Sequence, residues 1–97
     1  MTENHQWFLV EIQVNGTIEA ALLERQRAFL SQLTVQGDLV VAAVFPETKG
    51  RGIALLRAGS LDQAKSVYAR APVVQENKVK IDISLLRLTA GQLLAEK

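Results

Sequence analysis

Trp7-Phe8-Leu9-Val10-Glu11-Ile12-Gln13-Val14 is the stretch on which the fold turns. It is rich in β-branched and aromatic residues and stops at Asn15-Gly16, the pattern of a β-strand. Successive side chains of a strand point to opposite faces. Phe8, Val10, Ile12 and Val14 therefore share one wholly apolar face, while Trp7, Leu9, Glu11 and Gln13 share the other, which is half apolar and carries a carboxylate. A strand wanted on both faces needs cover on both, and a short chain carries few helices to provide it.

The rest of the chain supplies that cover unevenly. Residues 18–36 place Ile18, Ala21, Leu22, Phe29, Leu30 and Leu33 at helical spacing around a charged middle, with Thr17 as the expected cap and Gly37 as the stop. Residues 39–45 are a nearly continuous apolar run ending at Pro46, as expected of a strand buried on both faces. Residues 46–52 form a hairpin loop and 53–58 a third strand, interrupted only by Arg57. Ser60 and Gln63 have the spacing of a capping box for a helix running to about Arg70, with Leu61, Ala64, Val67 or Tyr68, and Ala71 as its inner stripe. Pro72 closes that helix, and residues 73–77 read as a linker. Residues 78–88 alternate Val79, Ile81, Ile83 and Leu85 against Lys80, Asp82, Ser84 and Leu86, a fourth strand, and a short helix through Leu93 and Leu94 follows.

Strand, helix, strand, strand, helix, strand is the α+β ferredoxin-like order, a βαββαβ chain with an antiparallel four-stranded sheet and two helices on one face. At 97 residues it is a single domain, residues 1–97. Two helices clad one face, so the other is expected to pair with a second copy, making a homodimer, or a higher even oligomer, of the dimeric α/β barrel type with an enclosed cavity.

Composition narrows the partners. Eleven basic and ten acidic residues are interspersed for a net charge of +1, unlike the basic stripe of a nucleic-acid binder. No segment is apolar over the roughly 20 residues that span a bilayer, and the polar start of the chain suits a cytoplasmic protein. With no cysteine there is neither a disulfide nor a thiolate site, and the lone His5, with no partner at a telling spacing, makes a zinc site or a histidine triad improbable. Neither metal nor organic cofactor is expected.

Segments 29–40 and 64–74, with the closing strand down to Arg87, resemble the YCII-related proteins of the dimeric α/β barrel superfamily; the muconolactone isomerases are second in likeness. The resemblance implies this fold, a dimer and a pocket. That family's histidine and aspartate dyad would fall at Gln26 and Ala71, and neither residue exchanges a proton at neutral pH.

The candidate chemistry is cofactor-independent proton transfer on a small aromatic or lactone-like acid, of isomerase or lyase type. The alternative is a non-catalytic ligand-binding or accessory protein that has lost the dyad. Glu11 is the first candidate acid or base if enclosed, or else a structural partner of Arg57 or of a strand lysine, or a solvent-facing side chain at the sheet edge. Asp82 and Lys80 either line the cavity or form a solvated face, and Arg57 either forks a substrate carboxylate or pairs structurally. Arg25 and Gln26 either orient a ligand or lie on the helix's wet side; Tyr68 is a pocket-rim hydroxyl or a core ring; Trp7 stacks on substrate or packs. Lys49-Gly50-Arg51-Gly52 either cradles an anion or is an ordinary hairpin loop.

Overall fold

The structure, a computed structural model, describes residues 5–95; positions 1–4 of the expected lead-in lie outside the described residues. The elements are β1 (Gln6–Val14), α1 (Ala20–Gln36), β2 (Leu39–Val44), β3 (Arg51–Ala58), α2 (Leu61–Ala69), α3 (Pro72–Gln75), β4 (Val79–Leu86) and α4 (Gln92–Ala95). The sheet is antiparallel with order β2-β3-β1-β4, so the fold is ferredoxin-like. β1 is inside it, paired with β3 on one side (Val10 opposite Ala54) and β4 on the other (Val10 opposite Ile83).

The alternation in β1 decides what is covered. Phe8 and Val10 are fully buried and cluster with Leu22 and Leu33 of α1, Ala64 and Tyr68 of α2, and Val73 of α3. The opposite face bears Trp7, Leu9, Glu11 and Gln13; by register it continues through Arg51, Ile53, Leu55 and Arg57 of β3 and Lys80, Asp82, Ser84 and Leu86 of β4. Of these only Leu55, at the sheet centre, is buried.

Helix ends show why the elements stop where they do. Gly37 takes a left-handed conformation (φ 87°), its N–H bonds the Thr34 carbonyl and the Asp38 N–H bonds that of Leu33, a Schellman stop. The Ser60 Oγ accepts the Gln63 N–H at 3.1 Å, and the Gln63 side chain returns to the Gly59 N–H, one residue before the expected partner.

Four expectations need correction. α1 starts at Ala20 with Glu19 as its uncapped N-cap, so Thr17 does not cap it. β2 is not buried on both faces: it is the outer strand, and beyond Leu39 and half-buried Val40, which is bulged out of register, its residues are exposed. Leu61 is exposed at 38% and lies outside the inner stripe of α2. The expected linker 73–77 is largely helical, because Pro72 ends α2 and also begins α3, where its fixed φ and missing N–H suit the first helical position. Asn77 (φ 61°) closes α3 as Gly37 closes α1, with the Lys78 N–H on the Val73 carbonyl.

Ser60→Ala is expected to cost about 1 kcal/mol, lowering the melting temperature by roughly 4–8 °C. A thermal melt followed by circular dichroism checks this, and an unchanged midpoint would mean that the cap contributes nothing.

Candidate ligand-binding cavity

A cavity of about 580 Å³ lies between α1 and the β1, β2 and β3 part of the sheet. It exists because the facing side chains are small. Ala42, Gly52 and Ala54 leave a hollow opposite Leu23, Gln26 and Leu30 of α1. Gly52 could not be larger without movement, since a Cβ there would stand 3.0 Å from the Ala43 carbonyl oxygen. Exposed Leu23 and Val44 mark the open side; buried Gln26 and Tyr68 form the inner wall. The volume falls within the range of small-molecule sites.

Among the described residues, Gln26, Tyr68 and Arg51 are the only ones lining it with polar side chains. The register of Arg51 opposite Gln13 puts its side chain on the other sheet face, and its guanidinium rests 4.6 Å from the Phe45 ring centroid. That leaves one polar pair. Gln26 Oε1 accepts the Val73 N–H at 3.3 Å, and Gln26 Nε2 donates to the Tyr68 hydroxyl at 3.5 Å. Both bonds are long, and together they tie α1 to α2 and α3. Phe29 meets the Tyr68 ring edge-on at 6.0 Å. Burial pushes the Tyr68 phenol above its ordinary 10.0, opposed in part by the Gln26 hydrogen bond.

Of the candidate residues, then, the structure brings Gln26 and Tyr68 together at the cavity. Gln26 is not on the wet side of its helix. It lies one turn after Leu22 and two before Leu33, both buried, and that spacing was the signal for its burial. The other candidates are elsewhere. Glu11 and Asp82 are direct cross-strand neighbours on the open sheet face, both exposed, with no ion pair to either among the described residues. Lys80 flanks Gln13 on that face. Arg57 lies over the Trp7 ring at 5.0 Å rather than against Glu11. Arg25 pairs with Glu76 at 3.4 Å in an exposed contact between α1 and the end of α3. Residues 49–52 are an ordinary hairpin end, where the Gly50 carbonyl accepts from the Val14 N–H and the Gln13 side chain. Among the described residues no group of three histidine, cysteine or acidic side chains could hold a metal, and no helix is long and apolar enough to cross a membrane.

No family model and no curated protein matches the chain. Solved structures do. The cofactor-independent oxygenase SnoaB from Streptomyces nogalater superposes with a TM-score of 0.57 at 10% identity, over 92% of this chain and 97% of that one. A variant of the same enzyme gives 0.53 at 13% identity over the same shares. A candidate antibiotic biosynthesis monooxygenase from Bacteroides thetaiotaomicron gives 0.48 at 18% identity, over 90% of each chain. At these identities the likeness is one of fold. The resemblance to YCII-related proteins or muconolactone isomerases rests on sequence motifs alone.

Tyr68 is the only tyrosine, so its titration can be followed directly by tyrosinate absorbance. Because the folded state holds the phenolic proton more tightly than the unfolded chain, the associated stability is intact below pH 10.0 and is lost as pH rises through the folded-state value. Absorbance is expected to rise only above the ordinary tyrosine range, and Gln26→Leu, which removes the bond that favours the phenolate, should move the rise higher still. A midpoint at the free-tyrosine value in folded protein would contradict the burial.

Proposed function

We propose that this protein is a cofactor-independent enzyme, working as a homodimer, that binds a small, largely apolar, uncharged ring compound in the cavity and moves a proton on it. The observation that carries this reading is an apolar chamber of about 580 Å³ whose inner wall holds one buried polar pair, Gln26 and Tyr68. The expectation of an acid as substrate shifts accordingly, because among the described residues no cationic side chain is placed to meet a carboxylate inside. Isomerisation, elimination and reaction of the deprotonated ring with dioxygen are chemistries that proceed by such a proton transfer without a cofactor; the fold likeness to a cofactor-independent oxygenase supports the last by analogy.

The dimer is argued from the open sheet face. Trp7, Leu9, Val41, Ile53 and Leu86 give it an apolar part around the already buried Leu55, and fully burying a large exposed side chain is worth about 1.5–3 kcal/mol. Its other end carries an acid row, Glu11 and Asp82, one pleat from a basic row, Arg51 and Lys80. A two-fold copy can set one protomer's acids against its partner's bases, so the face is self-complementary. Within that seam Glu11 and Asp82 would be desolvated and suited to acid or base work on a ligand held between the two sheets, with Lys80 and Arg57 as anion partners and Trp7 as a stacking surface; they lie across the sheet from the cavity and do not reach a ligand beside Gln26 and Tyr68.

A second reading has its own support. Among the cavity's lining residues there is no carboxylate or imidazole, and Tyr68 stays protonated at neutral pH, so nothing there accepts a proton readily. Binding without turnover fits that wall equally well.

Sedimentation is expected to give twice the 10.7 kDa chain mass, and Leu9→Lys to give the single mass with the fold intact by circular dichroism. A single-chain mass for the unaltered protein would remove the dimer and the roles given to Glu11 and Asp82. Neutral bicyclic ketones and phenols should raise the melting temperature, and Gln26→Leu should weaken that shift. Solvent-deuterium incorporation or oxygen uptake with a binding compound separates the enzyme from the binding module.

A further inference from the structure

The two hydrogen bonds at the cavity's inner wall have a fixed direction. The Val73 N–H is a main-chain group at the start of α3, and the Ala71 side chain offers it no cap. An N–H can only donate, so the Gln26 amide must turn its oxygen toward it. The amide nitrogen then faces Tyr68, and an amide nitrogen also can only donate. The phenol oxygen is therefore the acceptor, and its own hydrogen must point elsewhere. No acceptor for that hydrogen, nor for the second Gln26 N–H, occurs among the described residues.

We propose that this relay makes the cavity selective for a ligand bearing a hydrogen-bond acceptor, a ketone- or quinone-type oxygen on an apolar ring, and that Gln26 sets this polarity through its bond to Val73. The inference rests on the cavity being a ligand site, and it adds which side of a hydrogen bond that ligand must supply. Both residues line the cavity, the pair keeps two donor hydrogens without an acceptor among the described residues, and its one side-chain carbonyl is taken by Val73. Burial of Tyr68 keeps the phenol in its donating form at neutral pH. Donors held on a carbonyl oxygen also stabilise the negative charge that gathers there when a proton leaves the neighbouring carbon, so the same polarity that selects the ligand would assist the proposed reaction.

The test compares three probes of similar size by NMR titration: α-tetralone (acceptor only), tetralin (neither) and indole (donor only). The unaltered protein is expected to bind α-tetralone about tenfold more tightly than tetralin, since one or two net hydrogen bonds are involved, and indole no better than tetralin. Tyr68→Phe should reduce the ketone's advantage while leaving tetralin binding in place. Gln26→Glu should reverse the preference. At neutral pH the introduced carboxylate accepts from both Val73 and Tyr68, the phenol then turns its lone pairs to the cavity, and indole should gain what the ketone loses. Equal affinity for ketone and tetralin in the unaltered protein overturns the polarity while leaving the cavity as a ligand site. Failure of all three probes to bind overturns both. Should Gln26→Glu not fold, the Tyr68→Phe comparison still decides, because an undiminished ketone advantage there contradicts the relay.

Discussion

Everything else in this structure answers to the burial of one face of β1. Phe8 and Val10 are enclosed because β1 lies between β3 and β4 and beneath the helices, and the other inner strand, β3, is covered beside it through Ala54, Leu56 and Ala58. The requirement is not symmetrical. Period-two alternation forces Trp7 and Leu9 to the opposite side, where the chain has no helix to spare. The sheet thus has a finished face and an unfinished one, and the two are chemically different. The helix-covered face is apolar, apart from one amide and one phenol. The open face holds Glu11, Asp82, Arg51, Lys80 and Arg57.

The amide is the more instructive exception. A buried polar group left without a partner costs about 1–3 kcal/mol, so Gln26 is tolerable in the core only where something meets it. The partner arises from the break between α2 and α3. Pro72 ends one helix and begins the next, and the start of the new helix releases a main-chain N–H that needs an acceptor from outside its own turn. Gln26 supplies it across the interior and reaches Tyr68 with its other end. Two helices and a short third are thereby tied by polar contacts. Beside the tie, the small residues Ala42, Gly52 and Ala54 keep the sheet from closing on α1.

This explains which parts of the molecule were legible in the sequence. The strands, the two main helices, their order and the fold class follow from side-chain period and from stop residues, both written locally. Trp7 to Val14 and the glycine at 37 needed no knowledge of the rest of the chain. The failures share a different cause. Residues 39–45 look buried by composition, yet β2 lies at the sheet edge, and an apolar run does not reveal its place in a sheet. Pro72 reads as a stop, and nothing local to it says that a helix resumes in the same step. Gln26 was half legible: the gap in the apolar stripe between Leu22 and Phe29 is one that its position fills, but a polar residue is assigned to the core only when its partners are known, and those lie 42 and 47 residues away.

The separation of charge bears on what such a fold can do. Fold likeness at 10% identity transfers architecture and leaves the chemistry to be argued from the site. Here the charged side chains of the sheet, Glu11, Asp82, Arg51, Lys80 and Arg57, lie on its open face, and the hydrogen-bonding side chains of the covered face are uncharged. Charged groups on an exposed sheet act weakly through water and strongly only when a second surface excludes it. A neutral phenol and amide inside an apolar wall act strongly at once, yet they cannot take up a proton near neutral pH. The carboxylates of the open face stand across the sheet from the cavity, so proton transfer inside it must draw on the ligand's own acidity, whereas recognition of a neutral oxygen requires nothing beyond the single chain.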